Sequence, residues 1–272
     1  MPTSVLLDTG VISHSEFAEF TAKELPVRWA GRSSVSKIYG LKRKPPARDE
    51  DYQKQMEAMF TVGRMIREGK IAAYTYVELE FERFRGRVEV QEFNALRGCT
   101  IHKCDPAIRR SQFVGTTDFQ AFIAKGGRKD RRSGAPLGEE NQTTFLKWLY
   151  GLDKELVDAL VDHASVIGLN QFEIDSLRDL EWFQLVCKRS RSPENYPDVF
   201  HLWTAERNRL DTFLTLEKKL PNLVDQVRNE KRCGISVSTQ VLRPLALLEK
   251  LGVAGPDPVP IEIDRFYNLY QH

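Results

Sequence analysis

The chain lacks any apolar run approaching the roughly 20 residues that a bilayer-spanning helix needs, which argues against a membrane protein. Cysteine is sparse: Cys99, Cys104, Cys187 and Cys233 are the only four in 272 residues, and no two form a Cys-x-x-Cys pair. So few thiols do not make a disulfide framework, and they read as small reduced hydrophobes. The one local cluster, Cys99-x-x-His102-x-Cys104, has no fourth zinc ligand nearby. An excess of charge is missing too, since 40 basic and 38 acidic residues leave +2, a balance that names no partner. The start, Met-Pro-Thr-Ser-Val-Leu-Leu-Asp, meets an acid after three apolar residues and does not read as a secretory signal. A cytoplasmic location is therefore expected. No internal repeat is visible.

What is present is a globular composition, 41% hydrophobic and 29% charged. Residues 4–8, Ser-Val-Leu-Leu-Asp, predict a short buried strand ended by Thr9 and Gly10. Residues 11–30 carry an irregular apolar pattern, with room for a helix, and the polar, basic stretch 31–49 reads as a loop. From Asp49 to Glu68 the spacing of Met56, Met59, Phe60, Val62, Met65 and Ile66 predicts a helix, stopped by Gly69. A strand over 71–77, a helix from Glu78 through Arg85 and a short strand near 99–102 follow. Helices are predicted at 139–150, 153–167, 171–177 and 178–188. The last third reads as a helix from Asp198 to about Leu210, a strand at 212–215, a strand at 235–239 and a helix from Pro244. Alternating strands and helices predict a parallel sheet. The expectation is one domain over 1–272, with a discontinuous core (1–104 and 196–254), a helical insertion at 105–195 and a tail at 255–272.

In parallel α/β folds ligands gather beyond the carboxyl ends of the strands. Asp8 ends the first strand, Glu217 lies just past the strand at 212–215, and Asp198 opens the helix feeding that strand. A fourth acid should come from the helix after residue 77, where Glu78, Glu80 and Glu82 are all available. With Val77, Phe81, Phe84 and Val88 taken as the buried stripe, Glu80 lies roughly 60–70° from its centre, Glu78 about 90° and Glu82 about 130°. That ordering favours Glu80, then Glu78. Four crowded carboxylates repel one another, and a hard cation such as Mg²⁺ or Mn²⁺ offsets the repulsion. Such ions polarise a phosphodiester and generate hydroxide from bound water. Two basic runs, Lys42-Arg43-Lys44 and Lys125, Arg128, Lys129, Arg131 and Arg132, are the other conspicuous features. The second, among Gly126, Gly127 and Gly134, suits a loop that contacts nucleic-acid phosphates.

Val5-Leu-Leu-Asp-Thr resembles the first motif of PIN domains, in which an Asp ends the first strand and a Thr follows. The stronger likeness is the run from Pro197 to Leu220. It is similar to the family's sequence of an Asp, then His and Ala on a helix, then Asp-x-Phe-Leu-Thr and a final acid. Residues 235–251 resemble the family's last strand and helix. The matched stretches cover less than half of the chain, and 97–195 resembles nothing named here. The resemblance implies a Rossmann-like three-layer α/β/α sandwich and metal-dependent cleavage of single-stranded RNA. Carried over by position, Asp8 would be the first metal ligand and Asp198 the third. Glu217 stands where the family most often has Asp, which moves the carboxylate outward by one methylene. Asp211 would shape the site, His201 would border it, and Thr9 and Thr215 would orient the neighbouring acids. The ligand set implied is Asp8, Glu80, Asp198 and Glu217, around Mg²⁺ or Mn²⁺. A protein partner or inhibitor, or a second copy of the chain, is compatible with the same reading. The rival is a PIN-like module that binds RNA or protein without cutting, and Glu217 keeps it open.

Overall fold

The computed structural model describes residues 1–29, 31–84, 93–110, 113, 139–229 and 236–268. Its centre is a parallel sheet of five strands. These are β1 (Thr3–Leu7), β4 (Ile71–Thr75), β5 (Ile101–Lys103), β6 (Thr212–Leu214) and β7 (Gln240–Leu242). Their spatial order is β5-β4-β1-β6-β7. The chain thus builds outward from β1 on one side through β4 and β5, then crosses to the other side for β6 and β7. Val5 pairs with Ala73 on one flank and Thr212 on the other, so β1 is central and buried on both faces.

Both faces are covered by helices because alternate side chains of each strand point to opposite sides. Leu6, Phe213 and Val241 enter one core. There they meet Leu79 of α4 (Val77–Phe84), Phe145 of α5 (Glu139–Tyr150) and Phe183 of α9 (Leu180–Ser190). Trp203 of α10 (Tyr196–Arg207) and Val224 of α11 (Lys219–Asn229) complete that layer. Val5, Leu7, Ala73 and Leu214 enter the other core. They pack on α1 (Thr9–Ser13), α3 (Met59–Arg67) and α12 (Pro244–Lys250). The architecture is therefore α/β, a parallel sheet flanked by helices on both sides.

The predicted helix 49–68 is split at Ala58 into α2 (Glu50–Glu57) and α3, and Gly69 ends it with φ 70°. Between α5 and α9 lie α6 (Lys154–Asp162), α7 (Ala164–Ile167) and α8 (Gln171–Arg178), the last opened by a reciprocal Asn170–Glu173 capping box. The strand expected at 235–239 starts later, at Gln240. Glu206 accepts hydrogen bonds from Ser238 N, Ser238 Oγ and Thr239 N, which ties that backbone to a helix end instead of the sheet.

The larger departure is at 18–43, expected as irregular chain and loop. β2 (Ala18–Trp29) and β3 (Arg32–Arg43) form an antiparallel hairpin of twelve paired positions. Within the expected tail, β8 (Phe266–Asn268) adds to β3 at Gly40–Lys42. Pro26 is tolerated because β2 is the edge strand of this second sheet. Among the described residues no helix is long and apolar enough to cross a membrane.

Candidate active site

The strand order reverses between β1 and β6, and the crevice at a reversal, beyond the carboxyl ends, is where such sheets hold ligands. Three pieces of chain meet there. Asp8 follows β1. Asp198 lies in the first turn of α10, whose N-terminus stands at this edge because a helix that returns the chain to a parallel strand runs antiparallel to it. Glu217 follows β6 and is exposed.

Asp8 is almost completely buried and accepts a 2.7 Å hydrogen bond from Thr215 Oγ1. Burial pushes its carboxyl above the usual range, against the lowering effect of His201 and Thr215. The Glu217 N–H in turn donates to Thr215 Oγ1 at 3.1 Å, so Thr215 links the strand end to both acids. Burial likewise pushes Asp198 up to about 7. His201 works against this, while the anions Asp8, Glu217 and Glu82 add to it. Tyr52 borders the same crevice, since burial and the charges of Glu217 and Asp8 together raise its hydroxyl pKa.

The acid that α4 contributes to this group is Glu82, not the expected Glu80 or Glu78. Glu80 pairs with Lys103 at 3.0 Å, on the outer side. Glu78 is buried against Arg110, whose Nε donates to it at 3.2 Å. The buried face of α4 is not centred on Phe81, as the apolar spacing suggested. The structure buries Tyr76 and Leu79 completely, while Phe81 is only partly buried, and Glu82 follows Leu79 on the same face at i+3. Thr9 Oγ1 donates to Glu82 at 2.7 Å and Gln142 of α5 at 2.9 Å.

His201 sits at the middle of the cluster. It lies three residues after Asp198 on α10, a helix buried nearly all round. Its Nε2 is 3.1 Å from Glu82 Oε1 and its Nδ1 2.5 Å from the Tyr76 hydroxyl. Burial alone would lower its pKa, but Glu82, then Asp8 and Asp198, raise it to about 9. These anions favour the charged form of the ring, in which both nitrogens carry a proton to donate. Glu82 responds in the opposite sense: burial raises it, yet His201, Gln142 and Thr9 together bring it to about 2. A buried ion pair thus stands between the acids.

Asp211 does not belong to this group. It accepts from Ser4 N and Ser4 Oγ at 2.8 and 2.7 Å, which pins the amino ends of β1 and β6, the opposite edge of the sheet. The basic residues Lys125, Arg128, Lys129, Arg131 and Arg132 lie outside the described residues. Tyr76, Tyr52 and Gln142 were not singled out from the sequence. Tyr76, directly before the acidic helix, was the one with a local signal.

The donor set suits a hard cation in kind: carboxylates from three separate elements. As the side chains stand, no three acidic, histidine or cysteine groups among the described residues converge closely enough to hold an ion. Comparisons with protein-family models, with curated proteins and with solved structures return no match for this chain.

Proposed function

We propose that the chain is a PIN-like, divalent-metal-dependent nuclease that hydrolyses phosphodiester bonds of single-stranded RNA, with the helices between 139 and 190 as an insertion on the core. The observation that carries this reading is that Asp8, Glu217 and Glu82 act electrostatically on Asp198 at the strand-order reversal, where burial and these neighbours push it up to about 7. Anions held together at such cost mark a site built for something other than stability. Asp8, Asp198 and Glu217 would hold Mg²⁺ or Mn²⁺, and the ion would supply charge neutralisation and activated water. Thr215 fixes the Asp8 carboxylate, and Thr9, Gln142 and His201 fix Glu82, so the acids are oriented by hydrogen bonds. Asp198 takes up and releases a proton near neutral pH. The test is cleavage of a labelled single-stranded RNA in Mn²⁺. Wild type should cut, while Asp8→Asn and Asp198→Asn should fold normally and not cut. Equal cutting by all three would remove the proposal.

A second reading, a PIN-like module that binds RNA or protein without cutting, is favoured by His201. Its imidazolium already offsets part of the negative charge from inside the cluster. Wild-type protein that binds RNA but leaves it whole in Mn²⁺ would select this reading.

A further inference from the structure

The acids just described repel a polyanionic substrate, so attraction must come from elsewhere on the molecule. The hairpin has the required charge. Residues 18–44 hold seven cations (Lys23, Arg28, Arg32, Lys37, Lys42, Arg43 and Lys44) and two acids, a net of +5 in a chain whose total is +2. The rest of the protein is therefore net negative, by three charges. Both hairpin acids are already paired, Glu24 with Lys37 and Glu19 with Lys42. Lys23, Arg28 and Arg32 are exposed and have no acid within ion-pair reach among the described residues.

The shape fits the charge. Twelve-residue strands reach about 40 Å, and only the base is held, where Ala18 and Leu41 are buried and β8 pairs with Gly40–Lys42. Along most of the arm the residues of both strands are exposed. The pairing register sorts its side chains. Phe20, Tyr39, Val35 and Arg28 fall on one face, because Phe20 pairs with Leu41, Ala22 with Tyr39, Pro26 with Val35 and Arg28 with Ser33. Lys23 and Arg32 fall on the other. Phe20 and Tyr39 are 61% and 54% exposed and occupy diagonal positions across the two strands, so both present their rings to solvent on one face. At the base, a groove of about 410 Å³ is lined by Lys23, Lys42, Arg43, Lys44 and Arg265, with Asp264 the one acid in its lining. Long exposed hairpins are marginally stable alone, so a bound partner would also stabilise this one.

We propose that the β2–β3 hairpin is an arm that binds single-stranded RNA. Arg28 takes phosphates on the face where Phe20 and Tyr39 stack bases, and Lys23 and Arg32 add attraction from the opposite face of the ribbon, the combination of cations and aromatics by which proteins hold single strands without reading sequence. This rests on the nuclease reading for its substrate, but binding and cutting separate experimentally. Nine residues, Thr9 to Phe17, join Asp8 to the start of the arm, so a strand held on the arm lies on the polypeptide that leads directly from the acids.

The test is fluorescence anisotropy of a 12-nucleotide oligouridine with the full chain in EDTA, where no cutting occurs, across a range of KCl. Single-strand affinity falls with log salt by about 0.7 per phosphate contact. Lys23→Glu with Arg28→Glu and Arg32→Glu should reduce that slope by about 2 and weaken binding about 100-fold at 0.1 M salt. Phe20→Ser with Tyr39→Ser should weaken binding about tenfold or more and leave the slope unchanged. A control carrying Lys70→Glu, Lys154→Glu and Lys188→Glu has the same net charge change away from the arm and should bind within about threefold of wild type. Equal losses in control and arm variants would overturn the proposal, as would arm variants that bind like wild type. A dimer that Phe20→Ser with Tyr39→Ser dissolves while RNA affinity stays unchanged would also overturn it, in favour of self-association. Arm-dependent binding by a protein that cuts nothing in Mn²⁺ would support the arm and sink the nuclease reading.

Discussion

If Asp198 is held against its electrostatic preference, removing its charge should stabilise the protein, and only at high pH. Its carboxyl titrates at about 7 in the folded state, against 3.8 in the unfolded chain. The native state thus binds the proton more tightly than the unfolded chain. Stability falls as pH rises from about 4 and levels off above about 7. Three pKa units at 1.36 kcal/mol each set the loss at about 4 kcal/mol, an upper bound because the residue is partly exposed. Asparagine is neutral throughout and escapes this loss. Urea denaturation in EDTA should therefore show Asp198→Asn close to wild type at pH 4.5 and more stable than wild type by 2 to 4 kcal/mol at pH 8. Added Mn²⁺ should restore stability to wild type at pH 8 and do little for the variant, since a ligand stabilises the state that binds it. An advantage for the variant that is the same at both pH values, or a variant less stable at pH 8, would refute the claim that this acid is destabilised in place.

The two acids of α4 should separate cleanly in the same assay. Glu82→Gln deprives the buried His201 imidazolium of its partner and should cost about 3 kcal/mol. Glu80→Gln breaks a pair whose lysine is 73% exposed and should cost less than about 1 kcal/mol, with RNA cleavage unchanged. Gly63→Ala tests the packing of α3: the added Cβ would stand 2.0 Å from the Ala95 carbonyl oxygen, a backbone atom that cannot step aside. It should lower stability by about 1–3 kcal/mol without altering RNA binding.

The middle of the central sheet was legible because β1 is buried on both faces, so Val5–Leu7 stands out as an apolar run ended by Asp8. The hairpin was not legible for the opposite reason. Its strands are exposed along most of their length, so nothing imposes an apolar-polar alternation, and the polar, basic residues after 30 read as a loop. Asp8, Asp198 and Glu217 were legible as candidates because strand ends and helix starts are visible in the sequence and fix position along the sheet. The α4 acid was missed because its choice turns on helix rotation, and the anchor used, Phe81, is not the residue the core buries. His201 was expected only to border the site. Its charge follows from contacts with Glu82 and Asp8, which lie 119 and 193 residues away in the chain and are invisible to local patterns.

An anomalous difference map from a crystal soaked in Mn²⁺ near pH 8 examines the proposed centre directly. A peak bounded by the carboxylates of Asp8 and Asp198, with Glu217 turned toward it, is the expected result. A map with no peak there, or with manganese beside Glu80 and Lys103 instead, would contradict the idea that these distant acids form one cation-binding pocket.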